Sequence, residues 1–347
     1  MKKIIKVKKY VNNANVSRFR AWIQFFSFLL FIYGGYFLIH VGQNLPTFAC
    51  PYNSGSPGTC YLIALQHSMH TTWDQLFSWR GFGVLTGFLS FLLFFVIFNK
   101  AWCGFFCPLG TLQDWITKLR KLTFTRFTRY DQMSFKRLKK IKYVFLAIII
   151  LIPLGISNSF FGLPKFSHDL GAPFCQVCPA RTILPLFTGD TSQIFIDFTN
   201  TTTIIMSSLG ILFMALFFVG SFFKKRFFCF FCPMSALQHL FSRMGILRLT
   251  KDGTQCTRCG NCYRVCDVGI IEIAEDIESK FIVKEDCMMC FKCVEACPEE
   301  GALDVKVLKW SIFSSTQEGF FKRYGQGDEF DEQGKIDFTT LKDKADE

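Results

Sequence analysis

The chain reads Cys256-Thr-Arg-Cys259-Gly-Asn-Cys262-Tyr-Arg-Val-Cys266 and, further on, Cys287-Met-Met-Cys290-Phe-Lys-Cys293-Val-Glu-Ala-Cys297. Both stretches have the spacing C-x2-C-x2-C-x3-C, which is typical of chains that hold two [4Fe–4S] clusters. A cubane cluster takes one thiolate per iron, so three cysteines of one run can supply three ligands and the other run supplies the fourth. The predicted ligand sets are Cys256, Cys259, Cys262 and Cys297 for the first cluster, and Cys287, Cys290, Cys293 and Cys266 for the second.

Closely spaced cysteines also bind zinc or form disulfides. A tetrahedral zinc site needs four cysteines but does not need three in one run with a distant fourth. Disulfides are rare in the cytosol. The spacing therefore favours a C-terminal α+β two-cluster bacterial ferredoxin domain over residues 251–308, with two [4Fe–4S] clusters as its cofactors.

The rest of the chain has the composition of a membrane protein. Half of the 347 residues are hydrophobic and 44 are Phe, which is more apolar than a soluble protein of this size. A helix needs about 20 apolar residues to cross a bilayer, and four stretches approach this: about 21–42, 81–98, 143–163 and 204–223. The predicted fold is an α-helical integral membrane protein whose four transmembrane helices lie within residues 21–250.

Basic residues predict the orientation of these helices. They are concentrated in the segment 1–20, in the loop 99–141 and after the fourth stretch, whereas the other two loops are nearly free of them. Because Lys and Arg are enriched on the cytoplasmic side, we expect a multi-pass protein of the cytoplasmic (inner) membrane with both termini and the ferredoxin domain in the cytoplasm. The basic blocks flank apolar stretches, so membrane lipid is a predicted partner and nucleic acid is not.

An internal repeat follows the second and fourth apolar stretches. Cys103-Gly-Phe-Phe-Cys107-Pro-Leu-Gly-Thr-Leu-Gln and Cys229-Phe-Phe-Cys232-Pro-Met-Ser-Ala-Leu-Gln align on Phe-Phe-Cys-Pro, which predicts two copies of a helical hairpin. These four cysteines are predicted to ligate a third metal centre at the cytoplasmic rim. The alternatives are reduced structural thiols or a thiol–disulfide pair. A helix over 109–121 is expected along the membrane surface, with Trp115 at the interface and Arg120 toward water.

Together these motifs resemble the NapH/MauN-type membrane ferredoxins, which are related to the NosR and CcoG proteins. The resemblance covers about residues 20–308. It implies four spans, cytoplasmic termini and the role of a quinol dehydrogenase membrane component, in which quinol oxidation is coupled to iron–sulfur electron transfer. The chain departs from the family pattern in its second rim loop, which is C-x2-C-P rather than C-x3-C-P, and at Asp267, where a proline is usual. Asp267 is expected to alter a turn without removing a ligand.

Four more cysteines lie in the loops predicted to face outward: Cys50, Cys60, Cys175 and Cys178. In an oxidising compartment, the first two could form a structural disulfide and the last two a second or a redox-active one. Alternatively, the two hairpins bring all four together as ligands of a fourth centre. Disulfide or redox-thiol chemistry is favoured, because iron–sulfur clusters exposed outside the cell are vulnerable.

The histidines are candidates for a quinone site. His40, His67, His70 and His168 lie at the outer ends of predicted spans or in outer loops. Each one alone is best explained as an interfacial polar residue. As a group they could accept protons as quinol is oxidised, because neutral imidazole is a base near neutral pH.

The sequence thus predicts a protein that passes electrons between the quinone pool and a partner redox subunit, such as a reductase, a ferredoxin-like protein or a cytochrome. As an enzyme it would be an oxidoreductase. One alternative is a non-catalytic anchor or relay subunit of a larger membrane reductase, and another is a redox maturation or assembly factor of the CcoG type. Residues 309–347 are acidic and polar, which predicts a loosely ordered tail.

Overall fold

The computed structural model describes residues 11–38, 42–47, 49–68, 79–123, 132–157, 172–283 and 286–324. The first half of the chain begins with a long helix and two short parallel strands, α1 (Val16–Tyr33), β1 (Gly42–Thr47) and β2 (Gly58–Cys60). The helices that follow are α2 (Tyr61–Ser68), α3 (Trp79–Phe98), α4 (Ala101–Phe105), α5 (Pro108–Leu122) and α6 (Gln132–Ser157).

The second half has a helical part and a small α+β domain. The helical part contains α7 (Pro173–Val177), α8 (Pro179–Ile183), α9 (Thr201–Phe223) and α10 (Pro233–Phe241). In chain order, the α+β domain contains β3 (Leu247–Lys251), α11 (Asn261–Arg264), α12 (Glu272–Glu275), α13 (Lys292–Glu295), β4 (Leu303–Val307), β5 (Trp310–Ser314) and α14 (Gln317–Tyr324). Its three strands form one antiparallel sheet in the order β3-β4-β5.

Each predicted span coincides at least in part with a helix: α1, α3, α6 or α9. Among the residues the structure describes, α9 alone is long and apolar enough to cross a membrane, and residues 85–98 of α3 form a shorter apolar helix. The four-span arrangement therefore stays a prediction. Helix α1 ends before the predicted boundary at residue 42. Beyond its end, the chain packs closely against the loop that contains Ser56. A Cβ on Gly35 would lie 2.8 Å from the carbonyl oxygen of Ser56.

One apolar core joins both halves of the helical part. Its buried members come from α2, α3, α5, α6, α7, α8, α9 and α10, and cysteines from two different pairs of loops pack against it: Cys60, Cys107, Cys178 and Cys232. Phe91 on α3 stacks on Tyr61, with ring centroids 3.6 Å apart. Large aromatic side chains therefore fill the space between the cysteine loops.

Helix α5 begins at a Cys-Pro motif, as the repeat predicts, but it is more deeply packed than expected. Trp115 lies on Phe28 of α1, with ring centroids 4.7 Å apart. The expectation that Arg120 faces water is wrong, because its side chain is 3% exposed. Its Nη1 donates to the carbonyl oxygens of Phe222 and Phe223 at 3.0 and 3.2 Å. A cation at this position offsets the negative end of the α9 dipole.

The N-terminal segment packs on the α+β domain. The backbone N–H of Ser17 donates to Glu295 Oε1 at 2.9 Å, and Asn12 Oδ1 accepts from the N–H of Ser314 at 3.0 Å. Strand β5 and helix α14 extend the folded domain to Tyr324, past the predicted boundary at residue 308. The prediction of a loosely ordered tail therefore does not hold for residues 310–324, and residues 325–347 lie outside the described part.

Candidate iron–sulfur site

The first ferredoxin quartet, Cys256, Cys259, Cys262 and Cys297, surrounds a small cavity in the α+β domain. The sulfur of Cys262 interacts electrostatically with those of all three other members, although Cys297 is distant in sequence. Two left-handed residues, Arg258 (φ 56°) and Gly260 (φ 76°), turn the loop around this cavity. Cys297, the predicted fourth ligand, thus lies beside the first run in space, as the crossed assignment requires.

The second ferredoxin quartet, Cys266, Cys287, Cys290 and Cys293, surrounds a small neighbouring cavity. Each sulfur interacts electrostatically with every other sulfur of the quartet. Met289 and Phe291 adopt left-handed backbone conformations, so the loop wraps tightly and the N–H of Met289 points at Cys287 Sγ, 3.4 Å away. The two quartets are adjacent, because Cys293 also interacts with Cys262.

Burial disfavours the charged form of these thiols. It raises the pKa of Cys262 and Cys287 to about 12, and that of Cys266 to about 11. Four thiolates can share such a cavity only if cationic groups compensate their charge, and the irons of a cluster are such groups. Within the described part of the chain, no three His, Cys, Asp or Glu side chains are drawn together around a single metal ion. A cubane does not require that, because its thiolates bind different irons.

The rim quartet, Cys103, Cys107, Cys229 and Cys232, is brought together from the two halves of the chain. Every pair of its sulfurs interacts electrostatically. Cys107 and Cys232 are the N-cap residues of α5 and α10, and each is followed by a proline at the first helical position. Proline suits that position because the N–H it lacks would have no partner in the helix. The thiols therefore sit at the positive ends of two helices.

Polar side chains from equivalent positions of the repeat flank the rim quartet. Gln113 Nε2 lies 3.9 Å from Cys229 Sγ, and Cys103 Sγ lies 2.8 Å from Gln238 Oε1. The guanidinium of Arg226 lies beside Cys229 and Cys107. Its positive charge lowers the pKa of both thiols, but burial raises each pKa by more. The rim quartet thus has amide groups and a buried cation around it, which are the groups that tune a cluster.

Cys50, Cys60, Cys175 and Cys178, here the inner quartet, are also brought together, and all sixteen cysteines of the chain are free thiols in the structure. Every pair of sulfurs in this quartet interacts electrostatically. The quartet lies deeper than a loop on the outer surface would. A Cβ on Gly210, near the middle of α9, would lie 3.1 Å from the carbonyl oxygen of Gln176.

The rim loop packs directly on the second ferredoxin quartet. A Cβ on Gly104 would lie 2.5 Å from the carbonyl oxygen of Met288, and the rings of Phe105 and Phe291 are 5.6 Å apart. Lys100 is 1% exposed and interacts with both Cys103 and Cys287. Burial and nearby Lys142 lower the pKa of Lys100 to about 8.

A buried ion network connects α1, the rim and the ferredoxin domain. Arg20 donates to Asp114 Oδ2 at 2.6 Å and to Asp267 Oδ2 at 3.4 Å. Arg226 donates to Asp114 at 2.5 Å, and Lys292 donates to Asp267 at 2.5 Å. Burial raises the pKa of Asp267, but Lys292, Arg20 and Lys225 hold it far below its usual range. The aspartate at the usual proline position therefore anchors the domain as well as forming the turn.

The histidines predicted for a quinone site are not brought together in the described part of the chain. His40, His70 and His168 lie outside the described residues. His67 belongs to α2, which begins directly after Cys60, and its side chain is outside the described part. The quinone site therefore stays a prediction.

Sequence reasoning missed the charged residues among the quartets. Lys100 and Asp114 were not singled out, and Arg20 and Arg226 were counted only as flanking cations. The available signal was position: Lys100 and Arg226 each stand three residues before the first cysteine of a rim loop. Two basic residues at the same distance from the first cysteine of a rim loop indicate a shared role.

Two 4Fe–4S family models match the chain. The "4Fe-4S binding domain" matches residues 80–126 and again 208–251, which contain the two rim loops. The "4Fe-4S dicluster domain" matches residues 248–298, which contain both ferredoxin quartets. The double match agrees with the internal repeat, and the chain therefore contains 4Fe–4S ferredoxin-type domains.

The chain is similar to several curated proteins. An uncharacterized protein of Methanocaldococcus jannaschii is 26% identical over 59% of this chain and 72% of its own length. The ferredoxin-type protein NapH of Haemophilus influenzae is 24% identical over 65% of this chain and 68% of its own length. The regulatory protein NosR of Pseudomonas aeruginosa is 27% identical over 55% of this chain, but over 22% of NosR. No solved structure matches. The resemblance predicted from the cysteine motifs is confirmed: the chain is related to the NapH-type membrane ferredoxins and to NosR.

Proposed function

We propose that this chain is a membrane-bound iron–sulfur protein that passes electrons between the quinone pool and a partner redox protein. The ferredoxin quartets and the rim quartet would hold its [4Fe–4S] clusters. The basic flanks favour the cytoplasmic membrane, with the termini and the ferredoxin domain in the cytoplasm. The contact of Ser17 with Glu295 is consistent with that orientation, since it requires the start of α1 and the ferredoxin domain to share one side.

The contact between the rim loop and the second ferredoxin quartet is the observation that carries this proposal. Gly104 is held against Met288, and Lys100 interacts with cysteines of both quartets. A ferredoxin domain tethered by a flexible linker would need no such interface. A rigid interface is what an electron path from the helical part into the domain requires, because electron transfer needs closely spaced centres.

The donor sets suit iron–sulfur clusters. When bound, the clusters supply one-electron redox chemistry, and the protein sets their potentials by burial, charge and hydrogen bonds. The backbone N–H groups of Leu109 and Gly110 point at Cys107 Sγ, and that of Ser235 points at Cys232 Sγ. Gln238 Nε2 has no hydrogen-bond partner in the described structure. Rotating this amide would let it donate to Cys103 Sγ once that sulfur is ligated and has lost its proton.

The quinone would bind near α2, since this helix begins directly after Cys60 and contains His67. A neutral imidazole there would accept a proton from quinol while electrons enter the row of quartets. A partner redox protein would dock on the ferredoxin domain. The relative named as a ferredoxin-type protein supports a place in such a complex.

The test is the redox response of the clusters to quinone. The protein is purified anaerobically in detergent, incorporated into vesicles with a quinol or with the matching quinone, and followed by low-temperature EPR. We expect quinol or quinone to change the redox state of the clusters in the wild type. A His67→Ala variant should respond more slowly while retaining its iron.

The matched control is the double variant Cys103→Ala/Cys107→Ala. Its ferredoxin clusters should still be reduced by dithionite but should no longer respond to quinol, because in the proposed path electrons from quinol would reach them through the rim cluster. If neither quinol nor quinone changes the redox state of the wild-type clusters, the proposal is wrong. The chain would then be a relay or anchor subunit that receives electrons from another protein.

A further inference from the structure

We propose that the inner quartet, Cys50, Cys60, Cys175 and Cys178, ligates a further iron–sulfur cluster of the [4Fe–4S] class within the helical part of the protein. The inference extends the proposed electron path and rests on it for its functional meaning. The site itself is argued from its own geometry. It reverses the preference for disulfides that the sequence alone favours.

The arrangement is one set of four sulfurs rather than two separate pairs. Two disulfides would need only that Cys50 approach Cys60 and that Cys175 approach Cys178. Instead, Cys175 and Cys178 each interact electrostatically with both Cys50 and Cys60. Loops distant in sequence thus converge on one point, which is what a centre with four ligands requires.

Three of the four sulfurs are approached by backbone N–H groups, as Cys107 and Cys232 are in the rim quartet. Cys178 is the N-cap of α8 and precedes Pro179, as Cys107 and Cys232 precede their prolines. The N–H of Ala180 points at Cys178 Sγ, those of Leu62 and Ile63 point at Cys60 Sγ, and that of Tyr52 points at Cys50 Sγ. Backbone N–H groups directed at sulfur stabilise ligated thiolates.

A buried amide and a cation complete the surroundings. Gln66 is fully buried, and its Nε2 donates to Cys175 Sγ at 3.2 Å. Nε2 also donates to the carbonyl oxygen of Leu62 at 2.8 Å, and Oε1 has no hydrogen-bond partner among the described residues. Arg181 lies beside Cys50 and Cys175, where its positive charge would offset part of the negative charge of a bound cluster. The rim quartet has the same combination of glutamine and arginine.

The position of the inner quartet continues the row of the others. Cys178 interacts with Cys232 of the rim quartet, and cysteines of both quartets pack on the same apolar core. The segment around Gln176 is seated on the middle of α9. Irregular backbone at membrane depth is tolerated where protein surrounds it. A cluster here would be enclosed, so the objection that it would be exposed outside the cell does not apply.

The decisive measurement is iron and acid-labile sulfide per chain, on full-length protein purified anaerobically in detergent. The wild type should contain about sixteen irons, four for each cubane. Cys175→Ala/Cys178→Ala should lose about four of them, and Cys103→Ala/Cys107→Ala should lose a different set of about four. If the wild type has about twelve and the inner variant retains all of them, the inference is overturned. The rim and ferredoxin clusters, and the proposed function, would still stand.

A second measurement covers an inner variant that fails to accumulate. Wild-type protein is denatured anaerobically with an alkylating agent and without a reductant, and its peptides are analysed by mass spectrometry. We expect all four inner cysteines to be alkylated, whereas a disulfide among them would refute the cluster. The Gln66→Leu variant should lower the midpoint potential of one cluster and leave the others unchanged, because hydrogen bonds to sulfur favour the reduced state. If every cluster of Gln66→Leu has the same midpoint potential as in the wild type, this result would also contradict the inference.

Discussion

Replacing Asp267 by asparagine should loosen the ferredoxin domain from the helical part without removing a cluster ligand. Asp267 follows Cys266, and its side chain is 3% exposed. It pairs with Arg20 of α1 at 3.4 Å, with Lys225 before the second rim loop at 3.3 Å, and with Lys292 of its own domain at 2.5 Å. Two of these three partners belong to the helical part.

The cost can be worked out from the exposure of the partners. Lys225 and Lys292 are 28% and 26% exposed, so water can replace much of what they lose, and each such pair is worth at most about 1 kcal/mol. Arg20 is 3% exposed and cannot be rehydrated, although it keeps Asp114 at 2.6 Å. Removing one partner of a buried pair costs about 3–5 kcal/mol, and the remaining aspartate places Asp267→Asn at about 3 kcal/mol.

The assay is denaturant unfolding in detergent, followed by the visible absorbance of the ferredoxin clusters. Asp267→Asn should lower the free energy of unfolding by about 3 kcal/mol while iron content stays at the wild-type value. Glu300→Gln is the matched control, since it removes one carboxylate charge from the exposed surface of the same domain. Equal stability of Asp267→Asn and Glu300→Gln would refute the argument that the ion network anchors the domain.

Three further changes test the interface and its charges. Asp114→Asn leaves Arg20 and Arg226 buried with one carboxylate fewer, and the same unfolding assay should show a loss of about 3–5 kcal/mol; a loss below about 1 kcal/mol would contradict the network. Gly104→Ala puts a Cβ 2.5 Å from the carbonyl oxygen of Met288, so stopped-flow reduction of the ferredoxin clusters by quinol should slow, whereas Gly87→Ala, which meets no atom within 4 Å, should not change it. Lys100→Met removes a buried cation beside Cys103 and Cys287 and should lower the midpoint potential of the second ferredoxin cluster in an EPR titration; an unchanged potential would exclude Lys100 as a determinant.

The sequence was sufficient wherever the chemistry is local. The spacing within each cysteine run predicted the ferredoxin domain, and the family models bear it out. The Phe-Phe-Cys-Pro repeat predicted two related copies, and one family model matches both regions. The helix predicted over 109–121 corresponds to α5, and α5 and α10 both begin at a Cys-Pro pair. Proline and the cap residue determine where a helix begins without reference to the rest of the fold.

The burial of the inner cysteines and the partners of the buried arginines could not be predicted in this way. The inner cysteines were expected in outward loops, because hydropathy assigns every segment between spans to a surface. Gln176 nevertheless packs on the middle of α9. Likewise, the count of basic residues treats each one as a solvated flank, yet Arg20, Arg120 and Arg226 are 1–3% exposed. Their partners are Asp114, Asp267 and backbone carbonyl groups from distant parts of the chain, which no local pattern specifies.

The buried cations explain how so many thiolates could share one protein interior. A cubane with four thiolates is a net anion, and burying an uncompensated anion is costly. Each quartet has a basic side chain beside it: Lys251 for the first ferredoxin quartet, Lys100 for the second, Arg226 for the rim quartet and Arg181 for the inner quartet. Lys251 Nζ is held by the carbonyl oxygens of Ile273 and Asp276, each at 2.8 Å, so it cannot simply turn toward water. A cation favours the reduced, more negative state of the cluster beside it, and the order of potentials along the row should therefore depend on how closely each cation is held.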